Sequence, residues 1–139
     1  MSGGAIRRAA ATIGLLASLG AAAAAARPLE LRIRNDDATV PLRCFLVLAH
    51  WYSEELEPVA PGGSASLALE SGLPDGMVVR RNSLARAMAV EGLYCLSGEP
   101  GRAERASVPL DALRSAASPL LIACRRNPRF ECAVAMASR

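Results

Sequence analysis

Residues 43–52 read Arg-Cys-Phe-Leu-Val-Leu-Ala-His-Trp-Tyr, and they limit what this chain can become more than any other stretch. They hold the only histidine, the only tryptophan, one of the four cysteines and one of the two tyrosines. Aliphatic and aromatic residues run through it without a glycine or proline, which predicts a β-strand. Side chains alternate across a strand, so Cys44, Leu46, Leu48 and His50 share one face while Phe45, Val47, Ala49 and Trp51 share the other. Both faces are apolar, whereas a strand with one wet face alternates apolar with polar. The strand is therefore expected to be covered twice, the second time by another element or another molecule. Phe45, Val47, Trp51 and Tyr52 become interface candidates, because aromatic anchors carry much of the energy at protein contacts.

The first 26 residues are expected not to belong to the folded domain. Arg7 and Arg8 precede an apolar stretch over residues 9–20, and a run of alanines follows to Ala26. This is the layout of a secretory signal peptide cleaved after Ala26, with the mature chain beginning at Arg27 and no stable membrane span remaining. Loss of Arg7 and Arg8 leaves a nearly neutral domain, which excludes the strong basicity usual in nucleic-acid binding. All the basic residues are arginines. The absence of lysine excludes Schiff-base chemistry, Ser-Lys dyads and Walker-type phosphate binding. Cys44, Cys95, Cys124 and Cys132 in a small exported chain read as two disulfides, and none of their spacings suits a zinc site or a redox motif. Asn127-Pro128 favours a turn between the last two, which points to Cys124–Cys132 and leaves Cys44–Cys95. The compartment is then periplasmic or extracellular.

Along the chain, Leu29, Leu31 and Ile33 alternate with Glu30, Arg32 and Arg34, a half-exposed strand suited to a sheet edge. Residues 64–70 alternate in the same way with Ala65, Leu67 and Leu69 inward. Pro74-Asp75-Gly76 predicts a turn into a short strand over 77–81. Residues 88–96 form a strand that is apolar on both faces apart from Glu91, and 97–107 reads as a surface loop. One short helix is expected over 107–114, capped by Ser107 with Pro109 early in it. Strands over 119–124 and 129–135 complete the set. About seven short strands and one short helix, in a single domain over 27–139, predict a mainly β fold, a small antiparallel β-sandwich stapled by two disulfides.

No pattern of catalytic residues is present. The run Gly62-Gly63-Ser64-Ala65-Ser66 departs from the nucleophile elbow at its last position, and His50 has no partner of the kind a triad needs. If Cys44 and Cys95 lie opposite each other, Leu48 faces Glu91 and His50 lies diagonal to it, a structural pairing. His50 with Met77 or Met88 would offer imidazole and thioether ligands to copper, the alternative of a periplasmic metal carrier, although no clustered motif accompanies them. A small hydrolase is the more distant alternative. Arg80 and Arg81, and Arg125, Arg126 and Arg129, are candidates for contact with an anionic envelope component through bidentate guanidinium bonds. The expected function is an exported, non-enzymatic binding or accessory module of the cell envelope, without a cofactor, acting through a protein partner or self-association.

Overall fold

The computed structural model describes Met1 and residues 26–71, 75–115 and 117–135. Apart from Met1 and Ala26, the expected signal segment lies outside the described residues. Among the described residues nine strands form: β1 (Arg27–Asn35), β2 (Leu42–Leu48), β3 (Tyr52–Glu55), β4 (Ser64–Ser71), β5 (Val79–Arg81), β6 (Ala87–Ser97), β7 (Glu104–Ser107), β8 (Leu120–Arg126) and β9 (Phe130–Val134). One helix, α1 (Leu110–Ser115), lies between β7 and β8. The fold is mainly β, and its hydrogen-bonded path runs β3-β2-β6-β5-β4-β1-β8-β9, with β7 joined to β6.

Alternation sets which side chains enter the core. Leu29, Leu31 and Ile33 of β1 are buried while Arg32 and Arg34 face solvent, and Leu42, Cys44, Leu46 and Leu48 of β2 are buried in the same rhythm. They meet Leu67 and Leu69 of β4, Leu93 and Cys95 of β6, and Ile122 and Cys124 of β8 in one cluster. The alternation expected of β1 is present, but its place at an edge is not. It pairs antiparallel with β4 from Arg27↔Ser71 to Arg34↔Ser64, and parallel with β8 from Leu31↔Leu120 to Asn35↔Cys124. An outward row of charge marks a wet face of the sheet, and that face is not an edge.

Two strands exceed the sequence count. β3 emerges because the run over 43–52 turns after Leu48 instead of continuing, and β7 lies within the expected loop over 97–107. Only Ala106 of β7 points inward, so four residues with a single apolar member carry almost no strand signal. Ser107 consequently ends β7 and does not cap the helix, which starts at Leu110 and buries Leu113. Residues 82–86 form the turn between β5 and β6.

The bridges are Cys44–Cys95 and Cys124–Cys132. Each joins residues directly opposite in an antiparallel ladder, β2–β6 and β8–β9, with Cα–Cα separations of 4.0 and 4.1 Å. The two lie against each other in the core, the sulfurs of Cys95, Cys124 and Cys132 all being within 4.8 Å of one another. β7 and β9 close on each other through Glu104, which accepts hydrogen bonds from the Arg126 guanidinium and from the Phe130 backbone N–H at 3.1 Å.

Candidate functional site

The buried face of β2 ends at Leu48. The next residue in phase would be His50, a polar ring that the apolar interior cannot satisfy, and there the chain turns. Ala49–Trp51 form one 3-10 turn, with His50 (φ 66, ψ 31) and Trp51 (φ 63) both left-handed. Tight hairpins usually place Asn or Gly at such positions, because a Cβ there costs about 1–2 kcal/mol. A tryptophan held in that conformation is an outlier, and backbone strain of this kind gathers at binding and active sites.

No element among the described residues covers the outer end of this strand. Trp51 is 96% exposed and Tyr52 is 55% exposed, while Phe45 and Val47 are half-buried. The pairing expected for His50 fails. Register runs true from Leu42↔Ser97 through Cys44↔Cys95 to Val47↔Gly92, then shifts to Leu48↔Val90. This bulge leaves Glu91 out of step with β2, and His50 sits on an exposed turn beyond the ladder.

The outer face beside the turn is a row of aromatic rings and guanidinium groups. Phe45 stacks on Tyr94 across the β2–β6 ladder, ring centroids 5.2 Å apart and planes at 17°. The Arg43 guanidinium lies 5.3 Å from the Phe45 centroid and that of Arg105 lies 3.8 Å from the Tyr94 centroid, both within cation–π range. Arg43 Nε also donates to Glu55 at 2.8 Å and holds that carboxyl below the usual carboxylate range. Tyr94 was not singled out in the sequence, although the Cys44–Cys95 register alone places it opposite Phe45.

A second tip stands beside the first. In the β5–β6 turn, Asn82 Oδ1 accepts the backbone N–H groups of Leu84 and Arg86, each at 3.0 Å, and Ala85 is left-handed at φ 58. That closure turns Leu84 outward, 72% exposed. Tyr52 and Glu54 share a recess of about 450 Å³ with Arg80, Arg81, Asn82 and Ser83, so the two tips flank one hollow. Arg80 spans it, donating to Glu54 Oε1 at 2.9 Å and to the Ala68 carbonyl at 3.0 Å. Arg81 pairs with Glu70, and its Nη1 also donates to the Ala85 carbonyl at 3.0 Å.

The other candidates stand apart from these tips. Arg125 pairs with Glu131 and Arg126 with Glu104, while Arg129 is exposed on the β8–β9 turn. Met77 is exposed, and the Met88 sulfur lies 3.7 Å from Asn82 Nδ2. Among the described residues, the cluster of three metal-ligating side chains is Cys95, Cys124 and Cys132, whose sulfurs are already spent in disulfides. No family model, no curated protein and no solved structure matches this chain.

Proposed function

We propose that this chain is an exported, disulfide-stapled and non-enzymatic binding module of the cell envelope, which meets its partner through the β2–β3 tip. The observation that carries this reading is Trp51, fully exposed on a left-handed backbone where glycine would be cheaper. Tyr52 and the stacked pair Phe45–Tyr94 extend the aromatic surface away from the tip. Both bridges favour an oxidising compartment, and the signal-like segment over residues 1–26 gives the route to it.

The test compares wild type with Trp51→Gly for retention on an envelope fraction of the source cell. Retention is expected for wild type and at least about tenfold less for the variant, as loss of one buried aromatic anchor is worth 1.4 kcal/mol or more. The variant is also expected to unfold at higher urea, since glycine relieves the left-handed turn. Equal retention of the two proteins would remove the tip from the contact. Recovery of the protein in the cytosol with residues 1–26 attached would remove the export.

A further inference from the structure

We propose that the end of the molecule formed by the two tips docks on an anionic lipid surface, with Trp51 and Leu84 entering the interfacial layer and Arg86 meeting headgroup phosphates. This rests on the reading of the β2–β3 tip as the contact surface and names what that surface meets. Trp51 and Leu84 protrude from separate turns that flank a polar hollow, at 96% and 72% exposure. A protein partner would need two matched apolar pockets divided by a polar ridge, whereas a fluid interface accepts two protruding side chains without a preformed shape. Tryptophan and tyrosine concentrate where apolar chains meet hydrated headgroups, and Tyr52 stands beside Trp51 at the rim of the hollow.

Charge points to an anionic surface. Neither the segment over residues 49–53 nor that over 82–90 contains an acidic residue. Of the carboxylates that flank these segments, Glu54 is engaged by Arg80 and Glu70 by Arg81, while Glu91 is exposed at the β6 bulge, a strand's length from Arg86. Arg86 is exposed and, among the described residues, takes part in no ion pair. It is therefore the cation at this end with no internal carboxylate to satisfy it, and guanidinium groups bind phosphate oxygens in a fork.

The single tryptophan makes the test direct, because emission excited at wavelengths that tyrosine does not absorb reports Trp51 alone. Vesicles containing phosphatidylglycerol are expected to shift that emission to shorter wavelength, and vesicles of pure phosphatidylcholine are expected to leave it unchanged. In vesicle sedimentation, Trp51→Gly and Leu84→Ala are each expected to lose about tenfold in binding, and Arg86→Glu several-fold. Melting curves check that each variant is folded. Unchanged emission with anionic vesicles overturns the proposal, and an equal shift with phosphatidylcholine overturns its anionic character. If Trp51→Gly abolishes envelope retention while vesicles leave the emission unchanged, the lipid assignment falls and the contact surface stands. If neither assay responds to Trp51, both fall.

Discussion

Asn35 closes β1 with no solvent contact, and its side chain uses both of its functions. Nδ2 donates to the carbonyls of Val40 at 2.8 Å and Val59 at 3.3 Å, and Oδ1 accepts the Asp37 backbone N–H at 3.0 Å. One side chain thus holds two loops over the end of the core. Truncation leaves the Val40 carbonyl and the Asp37 N–H without that partner at partly buried positions, while Val59 keeps the Leu42 N–H, so Asn35→Ala is expected to cost about 1–3 kcal/mol in urea denaturation. A loss below about 0.5 kcal/mol would mean that the loops find other partners. The residue scale is also where the sequence reading stopped short. The turn at Ala49–Trp51 is built without glycine, proline or asparagine, the residues by which turns declare themselves, so 43–52 reads as one uninterrupted strand. Trp51 was read as an interface candidate on a continuous strand, whereas it stands on a turn that no element among the described residues covers. Its exposure comes from left-handed backbone angles that composition does not encode.

Strand elements were legible wherever alternation lasted six residues or more, as in β1 and β4, because the interior selects one face at every second position. The opposition of Cys44 and Cys95 also fixed register on either side of the bridge, and with it the partner of Phe45. Beyond Val47 that logic fails, since a bulge adds a residue to one strand and no side chain announces it. β7 escaped for another reason: it has a single inward apolar residue, and besides its ladder to β6 it is tied by a carboxylate reaching across to another hairpin. Hydrogen bonds from Phe130 N–H, and then from Arg126, hold the Glu104 carboxyl below its ordinary value of 4.5. A carboxyl with a lowered folded pKa adds stability above its ordinary value and loses it as pH falls through the folded one. The melting temperature is therefore expected to drop on acidification below about pH 4.5. Glu104→Gln should melt lower at neutral pH and fall less steeply in acid. Some slope should remain, because Glu30, Asp37, Glu55 and Glu70 are also held low by their hydrogen bonds. Equal slopes for the two proteins would exclude Glu104 as a source.

Across the whole molecule the bridges differ in what they restrain, although they touch in the core. Cys44–Cys95 closes a separation of 51 residues and Cys124–Cys132 one of 8. Loop-closure entropy puts these at about 4 and about 2.5 kcal/mol. Replacing Cys44 and Cys95 by alanine is accordingly expected to lower the denaturation midpoint more than replacing Cys124 and Cys132. The opposite order would show that packing outweighs chain entropy here. The mainly β class could be read from the chain, but the pairing that organises the path could not. β1 and β8 run parallel although some eighty residues separate them, and nothing local in either strand names the other. That pairing has a consequence for the order of events in the cell. β1 lacks one of its two neighbours until β8 has left the ribosome, although its ladder with β4 can close earlier. Until then one flank of β1 carries unpaired backbone groups, a sticky margin that β8 alone among the described strands seals.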